Sequence, residues 1–256
     1  MTDLTKLENH FSFGENWISF SKDISDVQVR GAQTKMKELI PDDLNKNTFL
    51  DIGCGSGIHA VAALKNGILE VQALDIDPNC VEISCLNLKK LAPTGNWTVN
   101  EHSIFDKTPD FLENNGQQKE FDIVYSWGVL HHTGDLEKAI EVASKFVKEG
   151  GVFVFALYRR TWLDFFWKAE KRWFARASKK QKGIAYFFYD LVFRIGLTLS
   201  FRSYRTYVEN YHEKRGMNYR HDLIDWLGGW PYEAISPGEV FKIMKKFGFK
   251  LVKANC

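Results

Sequence analysis

Residues Phe49 to Leu64 read FLDIGCGSGIHAVAAL. The stretch opens on Phe49, Leu50 and Ile52, preceded by Thr48, the apolar and β-branched composition of a buried parallel strand. Asp51 sits in its end, and Gly53, Gly55 and Gly57 then break it. From Ile58 the spacing predicts a helix, with Ile58, Val61, Ala62 and Leu64 on one face. A strand that stops at glycines and opens a helix is a binding loop, because a backbone without side chains lets a ligand come within contact distance.

A dinucleotide loop requires G-x-G-x-x-G, with a helix N-terminus aimed at a pyrophosphate. Counted from Gly53, the third glycine falls due at position 58, which is Ile58. The loop here is G-x-G-x-G, enclosing Cys54 and Ser56. The Asp51 carboxylate beside it repels a phosphate and suits a ligand carrying ammonium and sulfonium charge. Val71 to Asp75 (VQALD) predicts a second strand ending in an acid, and Asp75 has the spacing of a carboxylate that grips ribose hydroxyls. Ile76, next to it, is placed to lie against a base ring or to fill the core.

Composition bounds the rest. With 256 residues, 45% hydrophobic and 26% charged, the chain holds one sizeable α/β unit plus an insertion. A net charge of +2 calls for no nucleic-acid partner. Cys54, Cys80, Cys85 and Cys256 have neither metal-ligand spacing nor a disulfide framework, so reduced thiols, no metal and a cytoplasmic location are expected. No signal peptide or apolar run of spanning length is visible.

Along the chain, His10 to Phe20 is aromatic and glycine-broken, and Val27 to Ile40 predicts an amphipathic helix stopped by Pro41. Phe13, Trp17 and Phe20 either pad the sheet or close over the pocket. Asp77-Pro78 opens a helix with Val81, Cys85, Leu88 and Leu91 as its expected buried stripe, followed by a short strand at Trp97–Val99. Phe121 to Ser126 predicts a buried strand that runs into WGVLHHTGD. The next helix begins at Asp135 and is expected to end at Gly150-Gly151, before a strand at Val152–Leu157. Ser236 to Glu239 forms a capping box, and Phe249–Val252 predicts a sixth strand.

Between them lies an aromatic-rich segment, with 158–232 carrying much of the chain's aromatic content. Arg160–Arg176 interleaves Trp162, Phe165, Phe166, Trp167, Trp173 and Phe174 with Lys168, Lys171, Arg172 and Arg176. Ile184–Phe201 predicts a second helix, broken near Gly196. The favoured reading is a helical cap whose aromatics pack on each other and on the sheet; the sharper one is a face that touches a membrane surface or a lipid-linked acceptor. His221, Asp222, Asp225, Trp226, Trp230 and Tyr232 make an acceptor-binding loop, and His221 and Asp225 have the spacing of a structural pair.

FLDIGCGSG, VQALD and FDIVYSWGVLHHTGD together resemble the motifs of class I S-adenosylmethionine-dependent methyltransferases. FSFGENWISFSKD, SWGVLHHTGD and RGMNYRHDLIDWLGGWPYE resemble a bacterial subgroup of uncharacterised or sugar-cluster enzymes within them. The resemblance implies a doubly wound, mostly parallel α/β sheet with S-adenosyl-L-methionine as cofactor. It places Asp51, Gly53, Cys54, Gly55 and Gly57 at the methionine end, Asp75 at the ribose, and Ile76, Ser103 and Ile104 around adenine, with Ser126 at the end of the fourth strand. It implies an N-terminal arm or lid at 1–47, a cofactor core at 48–157 and 235–256, and an inserted cap at 158–234. The family's seventh strand is not legible, so the chain is expected either to be a truncated piece or to finish its sheet edge otherwise.

Methyl transfer is an in-line displacement at an already activated carbon, so the protein mainly aligns the reactants. A hydroxyl or ammonium acceptor must lose a proton, which histidine near neutral pH can take. His131, then His132, is the expected base, with Trp127 beside them. The expected reaction is methylation, at oxygen, of a small-molecule or glycan-type acceptor. A non-catalytic cofactor-binding protein and a nicotinamide-dependent oxidoreductase are the alternatives, and Ile58 argues against the second.

Overall fold

The computed structural model describes residues 24–42, 47–107, 109–114, 117–211 and 219–254. Residues 1–23, with Phe13, Trp17 and Phe20, lie outside these, as does 212–218. Five strands, β1 (Thr48–Ile52), β2 (Glu70–Asp75), β3 (Asn96–Glu101), β6 (Phe121–Trp127) and β7 (Val147–Ala156), form one parallel sheet in the order β3-β2-β1-β6-β7. A two-residue-per-strand hairpin, β4 (Glu113–Asn114) with β5 (Gln117–Gln118), stands apart. The order turns back at β1, whose neighbours are β2 on one side and β6 on the other. Loops leaving β1 and β6 diverge there and open a crevice at the carboxyl ends of the strands.

Both faces of β1 are buried, and its residues alternate between two cores. Phe49 joins Val29, Met36, Val61 and Val71 beneath α1 (Asp26–Leu39) and α2 (Ile58–Lys65). Leu50 joins Val124, Leu130, Leu136 and Ile140, against α4 (Leu136–Ser144) and α9 (Pro237–Lys246). Burial on both sides is why this strand reads as an unbroken apolar run apart from Asp51.

Several local expectations change. α3 (Pro78–Leu91) is capped by Asp77 as expected, but it buries Cys80, Ile83, Ser84, Asn87 and Leu88 rather than a purely apolar stripe. Helix α4, capped by Asp135, ends at Ser144, not at Gly150-Gly151. Those glycines lie inside β7, where the register with β6 shifts between Phe121 and Ile123; Gly150 takes φ 77°, the left-handed backbone of a bulge. Phe249–Val252 forms no strand. Phe249 meets Phe153 at 6.4 Å, while Leu251 and Val252 stay exposed, so the apolar pattern there finds a contact without a ladder.

Residues 158–234 form α5 (Asp164–Arg176), α6 (Lys179–Leu199), α7 (Tyr204–Glu209) and α8 (Tyr219–Gly228). Helix α6 runs through Gly196 without a break. Buried Asp190 ties these helices together: it accepts from Arg194 Nε at 2.7 Å and from the hydroxyls of Tyr204 at 2.7 Å and Tyr219 at 3.0 Å. Trp167, Phe174 and Trp226 pack inside, as expected, but Trp162, Phe165, Phe187 and Phe188 point to solvent, which corrects the expectation of a self-packed cap.

Candidate active site

The loop after β1 is held from three sides. Gly53 and Cys54 N–H groups donate to the Leu74 carbonyl at 2.8 and 2.9 Å. From α3, Ser84 Oγ donates to the Gly55 carbonyl at 2.9 Å and Asn87 Nδ2 to the Ser56 carbonyl at 2.8 Å. Asp75 accepts from Gly55 N–H at 2.9 Å and from Asp77 N–H at 3.0 Å. Gly53 has φ 76°, and a Cβ there would lie 2.4 Å from Val129 Cγ1. Glycine is therefore required where the β1 loop passes the β6 loop.

The loop floors a cavity of about 560 Å³, within the range of small-ligand sites. Gly53, Cys54, Gly55, Asp75, Ile76, Ser103, Ile104, Trp127, His131 and His132 all line it. Asp51, Gly57 and Ser126 do not line it. Ser126 spends its hydroxyl on the Ile52 carbonyl at 3.0 Å, so it braces the switch point, and Gly57 packs against Ser84. Asp51 lies buried beneath the loop with Oδ2 unpartnered. Burial, then the neighbouring Asp75 charge, pushes its pKa up to about 8, opposed by a backbone hydrogen bond from Ala60. Burial raises Asp75 to about 6, and its hydrogen bonds to Asp77 and Gly55 pull it back.

The other end of the cavity is aromatic. His131 and His132 occupy a short turn at Leu130–His132, their rings 4.3 Å apart. Tyr158, at the end of β7, lies 4.0 Å from the His131 ring. His132 Nδ1 meets the Pro231 carbonyl at 2.6 Å; a carbonyl only accepts, so Nδ1 carries a proton. Burial, then the charges of His132 and Lys171, hold His131 well below its ordinary pKa, and its Nδ1 is buried without a partner. Trp127 stacks on Tyr125 at 5.8 Å.

Asp222, Asp225 and Trp226 of α8 close the cavity from above. Of the other expected acceptor residues, Tyr232 instead packs on Tyr158 at 5.3 Å and bonds Asp164, and Trp230 sits 5.9 Å from the Arg172 guanidinium. The side chain of His221 falls outside the description. Buried Lys171 reaches from α5 to the Trp226 carbonyl, with its ammonium 4.1 Å from the Trp226 ring and 6.0 Å from Tyr158. The sequence reading missed Ser84, Asn87, Tyr125 and Tyr158. Ser84 and Asn87 lie off the stripe expected of that helix, so no sign in the sequence marked the first pair. Among the described residues no group of three or more acids, histidines or cysteines could hold a metal.

Comparison with known proteins places this geometry. The family model described as a methyltransferase domain matches residues 25–254. The ribosomal protein L11 methyltransferase of Thermotoga petrophila is 39% identical over 80 residues, 31% of this chain and 26% of that protein. The tRNA U34 carboxymethyltransferase of Idiomarina loihiensis is 31% identical over 114 residues, 44% of this chain and 33% of its own. The chain thus spans only 26% and 33% of these curated relatives. Among solved structures, a putative S-adenosyl-L-methionine-dependent methyltransferase of Methanococcus maripaludis is 20% identical, with 58% of this chain and 66% of that one covered at a TM-score of 0.46. The N-methyltransferase NodS of Bradyrhizobium japonicum, in complex with S-adenosyl-L-homocysteine, is 19% identical, with 54% and 65% covered at 0.43. The family match runs from α1 through the glycine loop and the crevice to the last helix, so the chain belongs to the methyltransferase-domain family.

Proposed function

We propose that the chain transfers a methyl group to a small-molecule or glycan-type acceptor, at oxygen, with one of the paired histidines taking the acceptor's proton. In this reading 48–157 with 235–256 is the cofactor core, and 158–234 is an inserted acceptor cap. The observation that carries it is one cavity with two unlike ends: a glycine-rich loop with Asp75 at one, and a histidine and tyrosine wall at the other.

The residues present fit the cofactor. Beside the glycine loop stand the carboxylate of Asp75 and the buried carboxyl of Asp51, whose unpartnered oxygen becomes negative when a cationic nucleoside draws off its proton. When bound, S-adenosyl-L-methionine supplies a methyl group already activated by its sulfonium. Gly53 to Gly55 would hold the methionine end and Asp75 the ribose, with Ile76, Ser103 and Ile104 bordering the base. Trp127 and Tyr158 exclude water and fix the acceptor's approach.

Of the two histidines, the reading places His132 ahead of His131 as base. The Pro231 carbonyl at His132 Nδ1 fixes the tautomer of that ring, whereas the unpartnered nitrogen of His131, Nδ1, is buried. A second reading, methylation of an amine, is favoured by Asp222 and Asp225 on the cavity wall beside Trp226, a wall suited to a cation.

Incubation with methyl-labelled cofactor and a panel of sugars, phenols and amines tests both. Label in hydroxyl acceptors, lost at least a hundredfold in His132→Ala with cofactor affinity retained, is the expected result. Label confined to amines would replace the first reading by the second. No transfer to any acceptor class would leave both without support.

A further inference from the structure

The outward face of α5 and α6 has a composition that the active site does not use. Along α6, Phe187, Phe188, Leu191, Val192, Ile195 and Leu199 follow one another at helical spacing and are all exposed. Phe187 keeps 61% of its surface and Leu199 75%. Trp162 and Phe165, at the start of α5, are exposed as well. Soluble proteins rarely leave so large a contiguous apolar surface in water unless it is a docking site.

The charges on this face have one sign. Between residues 160 and 205 every exposed charged side chain is basic, among them Lys168, Arg172, Lys180 and Arg202. The three acids of the segment are each engaged or buried. Asp164 bonds Thr161 and Tyr232, Asp190 is the buried anchor of the helices, and Glu170 has both carboxylate oxygens buried.

We propose that this face docks the protein on an anionic lipid surface. Aromatic and aliphatic side chains that enter the headgroup region, with cations at the phosphates, are the chemistry of an interfacial helix. The helix lies in the plane of the surface, because no helix among the described residues is long and apolar enough to cross a membrane. A second copy of the chain is the weaker occupant, since an isologous pairing of an all-basic face sets cation against cation. The inner side of α5 carries Trp167, which meets Trp226 of the cavity roof edge to face at 4.9 Å, so docking holds the site within about one helix diameter, roughly 10 Å, of the lipid.

The test is vesicle flotation of the full chain with phosphatidylcholine alone and with added phosphatidylglycerol, at low and high salt. Flotation is expected only with the anionic vesicles and is expected to fall at high salt. Arg172→Gln with Lys180→Gln should weaken binding roughly fivefold per cation removed, and Phe187→Glu with Val192→Glu should abolish it. Each variant is checked for retained binding of S-adenosyl-L-homocysteine. If one fails to fold, the lipid and salt dependence of the unaltered chain still decides. No flotation with either vesicle overturns the proposal, and so does equal, salt-independent flotation with both. A dimer in light scattering that Phe187→Glu dissociates would assign the face to a second copy and overturn it as well.

Discussion

Asp51 is a carboxyl buried under the cofactor loop with one oxygen unpartnered, and its pKa is raised from 3.8 to about 8. A raised acid binds its proton more tightly in the folded chain than in the unfolded one. Its contribution to stability is therefore complete below the unfolded pKa and is lost as pH rises through the folded pKa. At 1.36 kcal/mol per unit, a shift of this size is on the order of 5 kcal/mol in all. Between pH 6 and pH 8 the loss is about 2 kcal/mol, because the folded group is almost fully protonated at the first and half ionised at the second. Asp51→Asn cannot ionise. Urea unfolding of the ligand-free proteins should show the variant gaining about 2 kcal/mol on the wild type between those two pH values. Cofactor binding supplies the second half of the experiment. At pH 7 roughly nine-tenths of Asp51 carries a proton, and a cationic ligand beside it favours release. Calorimetry with S-adenosyl-L-methionine in two buffers of different ionisation enthalpy should register release approaching one proton, absent in Asp51→Asn. A stability gap that stays flat with pH, together with buffer-independent heats, would refute electrostatic selection by this carboxylate.

Three further outcomes follow from the contacts. Gly53→Ala pushes a Cβ into Val129 from a left-handed φ, and the combined strain, about 2–5 kcal/mol, should appear as lost S-adenosyl-L-homocysteine affinity and a lower melting temperature, partly restored by Val129→Ala. Ser84→Ala removes the hydroxyl that holds the Gly55 carbonyl and should weaken cofactor binding about fivefold, roughly 1 kcal/mol, measured by calorimetry. Asp190→Ala leaves Arg194, Tyr204 and Tyr219 without their acceptor; hydrogen exchange should show α6 to α8 loosened, by about 3 kcal/mol, while β1, β2 and β6 keep their protection.

The glycine-loop end of the cavity was legible because its requirements are local. A strand, a glycine loop, a helix and a following acid are set by neighbours in the sequence, and the structure brings Gly53, Gly55 and Asp75 to one cavity wall. What escaped depends on distant partners. Ser84 and Asn87 look like the solvent side of a helix until the carbonyls of Gly55 and Ser56 are set beside them. Gly150-Gly151 looks like a helix stop, yet it serves a bulge that only the pairing of β6 with β7 requires. Gly196 has the composition of a break, but one glycine costs a helix only about 1 kcal/mol, which a run of twenty-one residues tolerates. The exposed rings of α5 and α6 were expected to be buried because apolar spacing marks a face without saying what covers it.

The two ends of the cavity come from stretches of chain that share no residue. The glycine-loop end is written between 52 and 104, while the other end takes Trp127, His131 and His132 from the close of β6 and the loop after it, and Tyr158, Asp222, Asp225 and Trp226 from the segment that follows β7. Under the proposed reading, exchanging 158–234 between homologues would change the acceptor wall and leave the glycine loop and the paired histidines in place. Such grafts must carry Lys171 along with Trp226, since one seats the other.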